Sequence, residues 1–176
     1  DLKLFDFSKA KIFVDLGACI GEYSIYFAKK YPQSKVYSVE SSNNNLKFFK
    51  ENIKINNTEH SIKIIENAIS DIKDQNYYTT GRTQQSEVII SSNNYSKKTI
   101  TLTSLIFDEK IEKIDFLKID IENINYKVAK CIVDNVSKID AIQYEFYKGP
   151  SNVFLDLVYK VNSFYDFYLY DEKKDV

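Results

Sequence analysis

The chain has 176 residues and a mass of 20.6 kDa, with 44% hydrophobic and 28% charged residues, which suits one soluble globular domain with its own core. Its 24 basic and 25 acidic side chains give a net charge of -1, so the composition lacks the basic excess that accompanies nucleic-acid binding. We expect a single domain over residues 1–176, trimmed or cut from a longer protein because position 1 is not methionine.

Metal-binding and membrane-spanning patterns are missing from the sequence. Cys19 and Cys131 lie far apart and His60 is the single histidine, so no familiar zinc pattern can be assembled and no metal site is predicted. No apolar run reaches the roughly 20 residues that a membrane span needs. We expect a cytoplasmic protein with reduced cysteines and no membrane span, and no pattern in the sequence indicates its oligomeric state.

The first predicted unit is a strand, a glycine turn and a helix, within "KIFVDLGACIGEYSIYFAKKYP" (11–32). An apolar run at 12–14 predicts a buried strand, and Gly17 and Gly21 then supply backbone freedom. The aromatic residues that follow recur at helical spacing, at Tyr23, Phe27 and Tyr31. This order brings a turn without side-chain bulk to the start of a helix, where a nucleotide-like ligand can approach the backbone.

The rest of the chain continues the alternation of strands and helices. "KVYSVESS" from residue 35 predicts a second strand, residues 43–57 a helix with Leu46, Phe49 and Ile53 on one face, and 61–71 a third strand. The polar segment 74–98 predicts either short hairpin strands or a mobile loop over the site. Alternating apolar residues in "KTITLTSLIF" (98–107) predict an extended segment.

The C-terminal half follows the same plan. Residues 114–123 predict a fourth core strand, and a helix carrying Val128, Ile132 and Val136 leads to a fifth strand in "IDAIQYEFY" (139–147). A further helix and a last aromatic strand follow. The pattern predicts an α/β fold, a doubly wound, mostly parallel sheet with helices on both faces. A last antiparallel strand after the sixth predicted strand would be short, unrecognisable or outside this sequence.

Carboxylates lie at or toward the ends of five predicted strands, at Asp15, Glu40, Asp71, Asp120 with Glu122, and Glu145. The carboxyl ends of parallel strands share one edge of a sheet, which is where ligands bind in open α/β folds. The alternative is that these acids merely lie at a solvated edge or cap the following helices.

Glu40 fits a ligand role best. It lies close to the spacing of roughly 20 residues after the first glycine at which an acid accepts the ribose hydroxyls of a bound nucleoside. The glycine loop 17–21 lacks the close G-x-G pair that seats a pyrophosphate, which favours a nucleoside without phosphates. S-adenosylmethionine is such a cofactor, and its sulfonium and amino-acid tail suit a crevice lined by acids. The same glycine spacing disfavours a nicotinamide-dependent oxidoreductase.

The motifs "FVDLGACIGEYS", "VYSVESS", "ENAISD", "TLTSL" and "FLKIDIEN", in this order, resemble the FkbM-type family of S-adenosylmethionine-dependent class I methyltransferases. The resemblance implies that Asp15 and Gly17 lie along the methionine part of the cofactor and that Glu40 takes the ribose hydroxyls. It implies that Asn67 and Ala68 border the adenine and that Asp120 faces the methyl group. Two more residues complete the predicted cofactor set: Gly21, at the end of the glycine loop, and Ser41, next to Glu40.

Asp120 and Glu122 are the predicted catalytic pair. Residues two apart on a strand point to the same side, so both can reach the methyl-donor end, where a carboxylate can take the proton of a hydroxyl acceptor. The alternative is that Asp120 only orients the cofactor's ammonium group and Glu122 only caps the helix beginning near residue 125. Two positions depart from the family pattern: Asn123 replaces a glycine, and Ser104 replaces an acid.

The resemblance implies methylation of oxygen, on a small-molecule hydroxyl acceptor such as a sugar or a natural product. The chain has only Pro32 and Pro150, so the proline motifs of amino-methylating and cytosine-methylating nucleic-acid enzymes are excluded, and no nucleic-acid partner is predicted. The departures at 104 and 123 leave an alternative: a methyltransferase fold that lost catalysis and serves as a binding or scaffold module.

Overall fold

The computed structural model describes residues 6–81, 86–93, 97–121, 125–145 and 151–166, and their central feature is a parallel β-sheet. The strands in chain order are β1 (Ile12–Leu16), β2 (Lys35–Val39), β3 (Ile62–Ile65), β4 (Tyr77–Thr80), β5 (Glu87–Ile90), β6 (Phe116–Ile119) and β7 (Ile142–Tyr144). Five of them form the parallel sheet, in the spatial order β3-β2-β1-β6-β7, while β4 and β5 form a separate antiparallel pair.

Helices cover both faces of the parallel sheet. They are α1 (Glu22–Lys30), α2 (Asn43–Ile55), α3 (Leu102–Asp108), α4 (Asn125–Asn135) and α5 (Ser151–Val161). The face covered by α1 and α2 has a core rich in phenylalanine, and the face covered by α3, α4 and α5 has a mainly aliphatic core. The predicted α/β sheet with helices on both faces is confirmed.

The order of the strands places a topological switch point between β1 and β6. From β1 the chain builds the sheet outward through β2 and β3, and it then returns to the other side of β1 with β6 and β7. In an open α/β sheet the crevice at such a point, outside the carboxyl ends of the strands, is where ligands bind. The glycine loop 17–21 follows β1, and Asp120 follows β6, so both lie at this crevice.

One predicted strand is confirmed but ends earlier than predicted, and one predicted extended segment is wrong. The third strand ends at Ile65, so Asp71 lies well beyond the strand and does not mark its carboxyl end. Residues 102–108 form α3 instead of continuing an alternating strand, because Thr101 and Ser104 form a capping box: each side chain accepts a hydrogen bond from the other residue's backbone N–H at 3.0 Å.

The polar segment after β3 forms short strands, as one of the two predicted alternatives required. Tyr77 to Thr80 pairs antiparallel with Glu87 to Ile90. The last aromatic strand predicted after α5 falls largely on residues 167–176, which lie outside the described residues.

Candidate functional site

The glycine loop between β1 and α1 brings two distant parts of the backbone into contact. Gly17 has φ +83°, and a Cβ atom there would lie 1.8 Å from the carbonyl oxygen of Asp120. Only glycine fits so close an approach. Gly21 has φ +90°, and a Cβ there would lie 2.1 Å from the ring of Phe49 on α2. Helix packing therefore accounts for Gly21 without any ligand, whereas Gly17 shapes the crevice itself.

Glu40, directly after β2, is buried and held by backbone donors. Its Oε1 accepts hydrogen bonds from the N–H groups of Ser41 at 2.9 Å and Ser42 at 2.7 Å, and its Oε2 accepts one from Cys19 at 2.8 Å. Burial raises the pKa of Glu40, and these donors, with a side-chain hydrogen bond from Asn45, offset part of that rise. The carboxylate thus joins the glycine loop to the start of α2.

Asp15 lies within the last residues of β1 and is 1% exposed. Its Oδ2 accepts a hydrogen bond from the hydroxyl of Ser24 on α1 at 2.7 Å, and Ser24 also shares one with Ser38 on β2 at 2.8 Å. Its Oδ1 is buried and makes no hydrogen bond within the described residues. The ammonium group of Lys118 lies 3.5 Å from that oxygen and compensates its negative charge.

Asp120 shares the same lysine. Lys118 Nζ donates a hydrogen bond to Asp120 Oδ2 at 3.1 Å, and it lies 4.8 Å from the centre of the Tyr23 ring. The Asp120 side chain is 29% exposed, whereas the Lys118 side chain is 4% exposed. The pair therefore has a buried cation and a carboxylate that reaches the crevice.

The residues that follow β5 attach the antiparallel pair β4–β5 to residues after β2 and β3. Lys97 Nζ donates hydrogen bonds to the carbonyl oxygen of Ser41 at 3.0 Å and to Asn43 Oδ1 at 2.7 Å. Asn67 Nδ2 donates to the carbonyl oxygen of Lys98 at 2.9 Å, and the carbonyl oxygen of Ala68 accepts from the N–H of Ile100 at 2.9 Å. The segment that returns from β5 therefore contacts three of the predicted cofactor residues.

The structure brings most of the predicted site residues to one edge. Asp15, Gly17, Glu40, Ser41 and Asp120 surround the ends of β1, β2 and β6, with Gly21 at the start of α1 and Asn67 and Ala68 beyond β3. Glu145 follows β7, and its N–H donates to the carbonyl oxygen of Ile119 at 2.9 Å. Glu122 and Asn123 lie outside the described residues.

Sequence reasoning missed the buried polar residues Lys118, Ser24 and Ser38, and Tyr77 on β4. A signal for two of them was present: Ser38 and Lys118 stand two residues before Glu40 and Asp120, just as Asp15 stands two residues before Gly17. Tyr77 is 1% exposed, and burial raises the pKa of its hydroxyl to about 12, although a hydrogen bond with the backbone of Ala68 opposes that rise.

These residues fit the chemistry of S-adenosylmethionine. Gly17 lets the glycine loop approach the backbone of Asp120, which a side chain there would prevent, and Glu40 is a buried carboxylate directly after β2, next to the glycine loop. Asp15 and Asp120 carry two negative charges and Lys118 one positive charge, which leaves a net charge of about -1 beside the crevice. The ammonium, sulfonium and carboxylate groups of the cofactor's methionine end sum to about +1, so the charges are complementary.

A family model agrees with this assignment. The TRM5/TYW2 methyltransferase domain matches residues 5–126, which is more than half of the chain and includes β1 to β6. No curated protein matches the sequence. Within the described residues, no helix combines the length and the apolar character that crossing a membrane requires.

Solved structures share the fold at low sequence identity. The chain is similar to the methyltransferase FkbM from Methylobacillus flagellatus KT, with 18% identity, a TM-score of 0.63, and coverage of 92% of this chain and 39% of that chain. It is also similar to the METTL16 MTase domain, with 13% identity, a TM-score of 0.56, and coverage of 90% of this chain and 52% of that chain. A third similar structure is precorrin-6y C5,15-methyltransferase from Geobacter metallireducens GS-15, with 12% identity, a TM-score of 0.54, and coverage of 92% of this chain and 65% of that chain. The chain thus spans less than two thirds of each of these proteins.

Proposed function

Because this chain belongs to the TRM5/TYW2 methyltransferase family, with S-adenosylmethionine as its cofactor, we propose that it transfers a methyl group to a hydroxyl oxygen of a sugar or another small natural-product-like acceptor. The observation that carries the cofactor part is the position of Glu40. A buried carboxylate follows β2 beside a glycine loop at the switch point of a parallel sheet, and that is the geometry of a nucleoside site.

The cofactor supplies an activated methyl group, and the residues of the chain bind, orient and handle the proton. Glu40 and Ser41 take the ribose side, Asn67 and Ala68 the adenine side, and Asp15, Gly17 and Asp120 the methionine side. Gly21 shapes the loop through its packing on Phe49. Positioning supplies much of the acceleration in such a displacement, and a base has only to accept the hydroxyl proton.

The ion pair with Lys118 bears on which acid is the base. If Asp120 took up a proton, the buried ammonium ion 3.1 Å away would lose the closer of its two carboxylate partners and keep only Asp15 at 3.5 Å. That cost favours Asp120 as a residue that orients the cofactor, one of the two roles that its position in the sequence allows. We assign proton acceptance to Glu122, the other member of the predicted pair.

Oxygen as the acceptor atom is supported by the resemblance of five motifs to the FkbM-type family. The match to the FkbM structure supports the same fold, and at 18% identity it carries no information on the acceptor. A carbohydrate hydroxyl is compatible with the polar residues around β4, whose Tyr78 is 37% exposed.

Two measurements test the proposal. Titration calorimetry of the chain with S-adenosylhomocysteine and, separately, with NADH is expected to give binding of the first alone. A screen with S-adenosylmethionine labelled in the methyl group then compares a set of sugars and polyols with bulk RNA as acceptors. Label on a sugar or polyol supports the proposal, and label on RNA overturns the acceptor assignment. Cofactor binding without transfer to any member of a broad acceptor set supports the scaffold alternative.

A further inference from the structure

A row of polar residues crosses the sheet beneath α1. Ser38, Asp15 and Lys118 are direct register partners on β2, β1 and β6. All three are buried, with exposed fractions of 0%, 1% and 3%. They lie on the face that otherwise carries the phenylalanine core, so this row interrupts an apolar surface.

Lys118 is the costly member of this row. Moving an ammonium group out of water is unfavourable by several kcal/mol, and apolar residues of similar size often replace buried ion pairs without loss of stability. Although burial lowers the pKa of Lys118, the carboxylates of Asp15 and Asp120 outweigh that effect and raise it, so the lysine stays charged. Stability alone is thus a weak reason for a lysine at this position.

The geometry gives a better reason. Lys118 Nζ lies 3.5 Å from Asp15 Oδ1, and the centre of the Tyr23 ring lies 4.8 Å from the same nitrogen. Among the described residues, Lys118 Nζ also contacts Asp120 Oδ2 at 3.1 Å. A fixed cation therefore holds one oxygen of a carboxylate whose side chain is 29% exposed at the crevice.

We propose that Lys118 is a positioning residue: its buried ammonium group orients the Asp120 carboxylate so that the other oxygen, Oδ1, accepts a hydrogen bond from the amino group of the cofactor's methionine part. The proposal rests on the proposed function, since it assumes that the cofactor binds in this crevice. Lys118 also compensates one of two neighbouring carboxylates, which leaves a single negative charge to meet the positive methionine end.

Two ligands that differ only at the relevant end test this proposal. S-adenosylhomocysteine carries the amino-acid tail, whereas 5′-methylthioadenosine has the same nucleoside and thioether without it. For Lys118→Met we expect the affinity for S-adenosylhomocysteine to fall at least about tenfold, the value of one charge-assisted hydrogen bond. We expect the affinity for 5′-methylthioadenosine to stay within about twofold of the parent chain.

Lys63→Met is the matched control. Lys63 is also a lysine on a parallel strand, and it pairs with Glu109 at 2.6 Å, but its side chain is 50% exposed and the pair is remote from the cofactor residues. Both affinities should equal those of the parent chain. If Lys118→Met does not fold, Lys118→Gln removes the charge but keeps a polar side chain at the same position, and the same comparison of ligands decides.

The affinities for the two ligands distinguish a positioning role of Lys118 from a purely structural one. An equal loss for both ligands means that Lys118 only supports the fold and overturns the proposal, as does an unchanged affinity for S-adenosylhomocysteine. A selective loss for S-adenosylhomocysteine supports it. If the parent chain binds neither ligand, it is the proposed function that fails.

Discussion

Glu40 joins the glycine loop after β1 to the start of α2. Its carboxylate accepts backbone hydrogen bonds from Cys19 in the glycine loop and from Ser41 and Ser42 at the start of α2. An acid with this many internal donors has a structural role even before a ligand arrives. Binding and stability are therefore expected to change together when it is replaced.

We expect Glu40→Ala to lower the free energy of unfolding by at least about 2 kcal/mol, because several buried N–H groups lose their acceptor. The affinity of the folded variant for S-adenosylhomocysteine should fall at least about 30-fold, which corresponds to two lost charge-assisted hydrogen bonds. Urea denaturation and calorimetry measure the two effects. Glu66→Ala is the control, since Glu66 directly follows β3 but is exposed. Near-normal affinity in Glu40→Ala would remove the ribose assignment.

The raised pKa of Glu40 predicts a dependence on pH. A folded-state pKa above the ordinary value of 4.5 means that the folded chain binds this proton more tightly than the unfolded chain. The resulting stabilisation is complete below 4.5 and is lost as the pH rises through the raised pKa. Ribose hydroxyls that donate to the carboxylate have the opposite preference, because they favour the ionised form.

The affinity for S-adenosylhomocysteine should therefore decrease as the pH is lowered from neutral towards 4.5, the ordinary carboxyl value, because a raised pKa makes Glu40 take up its proton above that value. The decrease should disappear in Glu40→Gln, which cannot ionise. Calorimetry at several pH values measures both. A parent chain whose affinity is flat over this range contradicts the prediction.

At the scale of elements, periodicity predicted the order of strands and helices, and local hydrogen bonding decided where it failed. Leu46, Phe49 and Ile53 on α2 are buried as their spacing predicts. Ile100 and Leu102 alternate like strand residues, but the Thr101–Ser104 capping box begins a helix between them. Sequence reasoning missed the capping box because its N3 residue, Ser104, is a serine and not the usual Glu or Gln.

Thr101→Ala is expected to destabilise the chain by about 1 kcal/mol, the usual cost of losing an N-cap side chain. Ser104→Ala should cost a similar amount. The double variant should cost less than the sum, because either single change already breaks the reciprocal pair. Thermal or urea unfolding of the three variants provides the comparison, and strictly additive losses would show that the two hydrogen bonds act independently.

The polar row at Ser38, Asp15 and Lys118 shows a second limit of sequence reasoning. Each residue was visible as a polar position in an apolar strand, but only the register of β2, β1 and β6 shows that the three are neighbours. Register between strands that are distant in sequence comes from tertiary packing, which a single sequence does not display. The cofactor residues could be predicted because they follow the strands directly.

For the molecule as a whole, the crevice at the switch point is built from carboxylates, backbone groups and one buried lysine. Within the described residues no three histidine, cysteine or acidic side chains form a group that could hold a metal ion. We therefore expect the affinity for S-adenosylhomocysteine to be the same with and without EDTA, measured by calorimetry. Binding that is lost in EDTA and restored by a divalent ion would show that the strand-end acids hold a metal instead.

The close approach of Gly17 to the carbonyl oxygen of Asp120 has a consequence for how the chain folds. The two residues are about 100 positions apart in sequence, so the crevice cannot exist until β6 has docked beside β1. Contacts of such long range form slowly compared with helices and hairpins. During synthesis, the strands β1 to β3 emerge first, and one edge of β1 stays unpaired until β6 has been made. Other chains can add a strand to this unpaired edge. Ligand binding can therefore stabilise only the completed sheet, and refolding experiments should show cofactor affinity as one of the last properties to return.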